Sequence, residues 1–128
     1  MSDRTLRDCR IMVAEDEYML ADELCTELSD AGAIVLGPAG TVEDAVGLIS
    51  AQPHIDGAIL DVNLQGEMIF SVADLLAGRK VPFVFTTGYD ASVIPARFAH
   101  VARCEKPVNM TKIRRAIGRA VHPEPGTL

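Results

Sequence analysis

At 128 residues the chain has the length of one ordinary domain, enough to bury a core, and a separate effector domain is not expected. Hydrophobic residues at 48% beside charged residues at 23% place it among soluble globular proteins, and no stretch approaches the roughly 20 apolar residues that span a bilayer. A net charge of −6 and a pI near 4.9 oppose the binding of phosphate backbones.

Met1 to Arg10 is polar, and the apolar Ile11 to Ala14 is too short for the core of a signal peptide. Three widely spaced cysteines, Cys9, Cys25 and Cys104, form no CxxC pair, and an odd count argues for reduced thiols in a cytoplasm. Ile11–Ala14 is a short buried strand that runs into Glu15-Asp16-Glu17. Leu20, Leu24 and Leu28 with Ala21, Cys25 and Ala31 then recur at the spacing of one apolar helix face, and Gly32 is placed to end that helix in a left-handed cap. Ala33–Leu36 predicts a second strand, followed by Gly37-Pro38-Ala39-Gly40 as loop. Thr41 reads as the cap of a helix whose buried stripe is Val42, Ala45, Val46 and Ile49, and Gln52-Pro53-His54 stops it. His54 has no acidic or cysteine partner at ligand spacing and reads as a surface loop residue.

Gly57-Ala58-Ile59-Leu60 is too short for a helix, suits a strand buried on both faces, and ends on Asp61. A polar loop, Asn63 to Glu67, precedes a helix carrying Ile69, Val72, Ala73 and Leu76 and closed by Gly78. Val81–Phe85 predicts the fourth strand, with Pro82 near its start where a missing N–H is tolerated, and Thr86, Thr87 and Gly88 follow. Ile94-Pro95 interrupts the next helical stretch, so a short or broken helix is expected there. Ala99–Cys104 is the fifth strand, followed by Lys106-Pro107. Asn109 caps a last helix with Ile113, Ala116, Ile117 and Val121 inward, and residues 123–128 read as a flexible tail after a domain spanning 1–122. The basic cluster Lys112, Arg114, Arg115 and Arg119 fits a solvated face near the end of that helix better than a nucleic-acid site.

Five strands alternating with helical patterns predict an α/β fold, a parallel sheet covered on both faces. The polar residues then gather at one rim: Glu15 and Asp16 after strand one, Asp61 ending strand three, Thr87 ending strand four, Lys106 after strand five. In such sheets ligands bind beyond the carboxyl ends of the strands. Carboxylates brought together repel by roughly 4 kcal/mol per pair at about 4 Å and an effective dielectric near 20, and such a cluster wants a hard cation of the Mg²⁺ kind. A carboxylate, a divalent cation, a lysine and a hydroxyl are the parts for phosphoryl transfer onto Asp61 itself. The product, an acyl phosphate, is labile and suits a reversible switch.

Val13-Ala14-Glu15-Asp16-Glu17, Leu60-Asp61-Val62-Asn63-Leu64, Thr87-Gly88 and Lys106-Pro107, in this order, resemble the receiver domain of two-component response regulators over about residues 9 to 121. The resemblance implies a doubly wound sheet in the flavodoxin-like order 2-1-3-4-5. It also implies Asp61 as phosphoacceptor, Asp16 as direct Mg²⁺ ligand with Asp61, and Asn63 as supplier of a backbone carbonyl ligand. Glu15 holds the metal through water, Thr87 is the switch hydroxyl and Lys106 the phosphoryl-binding lysine. Phe83-Val84-Phe85-Thr86-Thr87-Gly88-Tyr89 is similar to single-domain receivers with a Phe-Ala-Thr-Gly-aromatic signature, with Thr86 where Ala is usual. That subgroup implies a sensor histidine kinase of the HWE or a related type as partner.

The expectation is a cytoplasmic signalling protein, not an enzyme acting on a separate substrate. It has a downstream protein partner, no nucleic-acid or membrane partner, and a homodimer left open. Two departures stand out. Arg103 occupies the position three before Lys106 where an aromatic is usual, and Pro95 lies in the fourth helix, so phosphorylation is expected to reorder residues 88–99 instead. The competing readings are a receiver-fold interaction module that is never phosphorylated, and a phosphate sink. A flavodoxin-like cofactor binder is disfavoured because carboxylates after strand one repel phosphate. A carboxylate-nucleophile phosphatase would want a second acid two residues beyond Asp61, where Asn63 stands.

Overall fold

The computed structural model describes residues 6–89 and 91–123. Its centre is a five-stranded parallel sheet in the order β2-β1-β3-β6-β7: Ile34–Ala39, Arg10–Ala14, Gly57–Asp61, Phe83–Thr87 and Arg103–Glu105. Helices α1 (Tyr18–Asp30), α2 (Val42–Ala51), α3 (Phe70–Gly78) and α4 (Met110–Val121) cover it. Because β1, β3 and β6 are buried on both faces, alternate residues of one strand enter two different cores. Ile11, Val13, Ile59 and Val84 meet Leu20, Leu24 and Leu28 of α1 and Ile113 and Ile117 of α4. Met12, Ala58, Leu60, Phe83 and Phe85 meet the apolar sides of α2 and α3. Each of the fully buried leucines contributes about 2 kcal/mol by leaving water.

The expected helix boundaries have identifiable chemistry. Thr41 Oγ1 accepts the Asp44 N–H at 3.0 Å, Asn109 Oδ1 accepts the Lys112 N–H at 3.0 Å, and Gly32 takes φ +94° just beyond α1.

Several expectations are corrected. The second strand does not stop at Leu36: it runs on through Gly37-Pro38 to Ala39, because β2 lies at the sheet edge, where a residue without an N–H leaves no ladder bond unmade. The fourth strand lies two residues later than expected, at Phe83–Thr87, and the fifth is only Arg103–Glu105. Between β3 and α3 the supposed loop is a small antiparallel hairpin, β4 (Asn63–Leu64) with β5 (Glu67–Met68). Its two turn residues, Gln65 and Gly66, both have positive φ, 51° and 88°, as a tight two-residue hairpin requires. His54, expected to lack an acidic partner, places Nε2 2.8 Å from Asp56 Oδ1. The expected break after β6 is present as two single 3-10 turns, Ala91–Val93 and Ala96–Phe98. Of the expected tail, residues 124–128 lie outside the described residues. Among the described residues no helix is long and apolar enough to cross a membrane.

Candidate functional site

The sheet register assembles the polar rim. Ala14 lies beside Leu60, so the residues that follow, Glu15 and Asp61, emerge side by side. Asp61 in turn lies beside Thr86, and Thr87 beside Glu105, which brings Lys106 to the same rim. Carboxylate oxygens of Glu15, Asp16 and Asp61 all lie within 4.8 Å of one another. The Lys106 ammonium donates to Asp61 Oδ2 at 2.8 Å and to Glu15 Oε2 at 3.5 Å. Asp61 Oδ1 accepts the Asn63 N–H at 3.1 Å, so both oxygens of Asp61 are oriented.

Glu15 and Asp61 are 2% and 4% exposed, while Asp16 is open to solvent. Burial pushes the Glu15 carboxyl up to about 8; the Glu17 N–H works against this, nearby Asp61 adds to it, and Lys106 opposes it. Burial alone would lower the Lys106 ammonium, but its hydrogen bond to Asp61 and the surrounding carboxylates outweigh that and hold it above its usual range. With all groups ionised, three carboxylates against one ammonium leave two negative charges at the rim. Glu15 Oε1 is buried with no hydrogen-bond partner among the described residues. An oxygen-only donor set, a surplus of negative charge and an orphaned carboxylate oxygen fit a hard divalent cation.

The hairpin and the β6 loop close over this rim. Asp16 Oδ2 accepts the Gln65 N–H at 2.8 Å, and Asn63 Oδ1 accepts the Gly66 N–H at 2.8 Å. Asn63 Nδ2 donates to the Tyr89 hydroxyl at 3.2 Å. Thr87 is fully buried at the end of β6, and its Oγ1 accepts the Tyr89 N–H at 2.8 Å. The structure therefore brings together Glu15, Asp16, Asp61, Asn63 and Lys106 directly, with Thr87 on the adjoining strand end. Gln65 belongs to the site and was not foreseen; the sequence signature marks Tyr89 only as its aromatic, without its contact to Asn63. Gln65 acts through its main chain, which no residue type signals, and the sign for the hairpin that presents it was Gly66 three residues after Asn63.

A search of solved structures returns SdrG from Sphingomonas melonis Fr1, 35% identical, covering 86% of this chain and 96% of that one with a TM-score of 0.73. The chain belongs to the response regulator receiver family. SdrG from Pseudomonas melonis Fr1 in a BeF3-activated conformation matches at 34% identity over 94% of this chain and 99% of that one, TM-score 0.72. A response regulator receiver protein from Sinorhizobium medicae WSM419 shares the fold at 22% identity, 92% and 98% coverage and a TM-score of 0.78. So does a response regulator from Burkholderia pseudomallei with a phosphorylated aspartic acid and a calcium ion, at 23% identity, 86% and 66% coverage and a TM-score of 0.74. No protein-family model and no curated protein matches the sequence. The receiver fold accounts for the sheet order, and the unusual parts of this receiver lie after β6. There Arg103 is exposed on β7, and Pro95 caps the second 3-10 turn where a helix would otherwise continue.

Proposed function

We propose that this receiver accepts a phosphoryl group on Asp61 from a histidine kinase in the cytoplasm, in a Mg²⁺-dependent reaction, and signals through the change this makes in its protein-binding surface. The observation that carries this reading is the 2.8 Å contact of Lys106 Nζ with Asp61 Oδ2 inside a cluster of three carboxylates. The SdrG form activated with BeF3 and the phosphorylated aspartic acid of the Burkholderia protein support it.

Asp16, Asp61 and the Asn63 carbonyl, with Glu15 through a water, would hold the cation. When bound, that cation supplies positive charge to the transferring phosphoryl oxygens. An Asp61 oxygen attacks the phosphorus of a phosphohistidine; the P–O bond forms as the P–N bond breaks, and the imidazole nitrogen leaves with the electron pair. Lys106 passes from the Asp61 carboxylate to a phosphoryl oxygen, and the Thr87 hydroxyl donates to another. Attack by water on the acyl phosphate resets the switch. The likeness of Phe83–Tyr89 to the aromatic-signature subgroup favours an HWE-type kinase as donor.

Intact mass spectrometry after incubation with Mg²⁺ and acetyl phosphate tests the reading. One added phosphate is expected, lost in Asp61→Asn and on chelation of the metal. An unmodified parent protein, with the small donor and with candidate kinases alike, would favour the constitutive interaction module.

A further inference from the structure

Away from the Asp61 rim the receiver has a second concavity, a cavity of about 710 Å³. It lies between the end of α3, the start of β6, the chain leading into β7 and one side of α4. Its origin is the short fifth strand. Pairing of β7 with β6 begins only at Phe85 opposite Arg103, so residues 81–84 have no strand beside them on that side. The segment that would have covered this gap as a helix is two separate 3-10 turns. The interior is apolar, formed by Phe83, Phe98, Val101 and Ala120.

The rim has the opposite character to the rest of the molecule. In a chain of net charge −6, Lys80, Arg97, His100 and Arg119 all line this cavity, with Asp74 as the one carboxylate. Arg97 engages Asp74 through two hydrogen bonds of 3.0 Å and lies 4.7 Å from the Phe98 ring centroid, so that pair is spent within the wall. Among the described residues Lys80 and Arg119 have no carboxylate within ion-pair distance.

We infer that this groove docks an extended acidic peptide of a partner protein, with one or two large apolar side chains inserted and flanking Asp or Glu side chains meeting Lys80 and Arg119. An apolar floor between two exposed cations matches that pattern, and the absence of a paired strand beside residues 81–84 favours an extended peptide over a compact ligand. The inference is independent of phosphorylation at Asp61.

Fluorescence anisotropy of the full chain tests it. The probe is a labelled heptapeptide with phenylalanine at its centre, leucine two positions on and glutamate elsewhere; the control carries lysine for every glutamate. Saturable binding of the acidic peptide alone is expected, weakened about tenfold or more by Lys80→Glu with Arg119→Glu, two exposed positions whose change leaves the core intact. Four outcomes would overturn the proposal: no saturable binding, equal binding of the lysine control, undiminished binding by the double variant, or groove-dependent self-association that the double variant abolishes, which would assign the groove to a second copy. Occupation by dodecanoate without any binding of the peptide would likewise overturn it, in favour of a small amphipathic acid.

Discussion

At Glu15 the demands of stability and of the site conflict. Its carboxyl is buried, lies close to Asp61, has one oxygen with no partner, and rises to about 8 chiefly because of burial. Glu15→Gln keeps the shape and removes the charge. Thermal unfolding without metal should show the variant more stable than the parent by about 1 kcal/mol, the sign expected where a site is held against its own repulsion. With Mg²⁺ the order should narrow or reverse, because the variant gains less from the cation; an equal gain in both would detach Glu15 from the metal. Asp56, away from the rim, is the opposite case. Burial acts to raise it, but the Arg10 N–H at 2.8 Å and His54 at 2.8 Å outweigh burial and leave its carboxyl below the usual range. A carboxylate lowered in the folded state stabilises at every pH above its unfolded value and loses that contribution as pH falls through the folded one. Asp56→Ala should therefore cost about 1 kcal/mol in urea midpoints from pH 7 to 5, and the gap should close below about pH 4. A gap unchanged to pH 2 would mean that the contacts do not depend on its charge.

Among the elements, α2 and α4 begin at side-chain caps, Thr41 and Asn109, whereas Glu17 ahead of α1 makes no such bond. Thr41→Ala and Asn109→Ala should each cost about 1 kcal/mol in chemical denaturation, and their effects should add because the helices lie in different cores. A markedly smaller loss at either site would mean that packing of the buried stripe alone starts the helix. Both caps were readable from residue type, as were the central strands, since a short apolar run ending in an acid has few other uses. Gly37-Pro38 was misread because turn chemistry and an edge strand use the same residues, and only the sheet decides between them. The Asn63 hairpin was missed because each of its strands is two residues long, too short to show alternation. At the site, Glu15, Asp16, Asp61 and Lys106 were legible from their places after strands. The Tyr89 hydroxyl on Asn63 joins residues 26 apart through a turn that periodicity does not describe.

Across the whole molecule, the Asp61 rim and the apolar groove lie at opposite ends of β6, and residues 91–102 run between β6 and β7. That chain is held mainly by short-range bonds: Ile94 to Ala91, Phe98 to Pro95, Ala99 to Ala96 and Val101 to Phe98, all three residues apart. Its firm anchors are the Tyr89 N–H on Thr87 Oγ1 at one end and the Ala102 carbonyl on the Phe85 N–H at the other. Between them, among the described residues, only Phe98 is deeply buried, packed against Phe70, Phe83 and Phe85 at centroid distances of 5.8 to 6.0 Å, and Arg97 adds an exposed tie to Asp74 of α3. A segment with one deeply buried anchor, whose side-chain tie to α3 is exposed to solvent, opens at lower free energy than the sheet. With Arg103 exposed on β7, the switch proposed above is expected to act through this segment. Once the Thr87 hydroxyl donates to a phosphoryl oxygen, its hold on the Tyr89 N–H changes first. Hydrogen exchange with Mg²⁺ and beryllofluoride should therefore alter protection across residues 91–102 while the amides of β1 and β3 stay as they were. Phe98→Leu, which loosens the anchor without emptying it, should raise exchange there even without the mimic. Unchanged protection in that stretch on binding the mimic would reject the segment as the switch and return the search to the Asn63 hairpin.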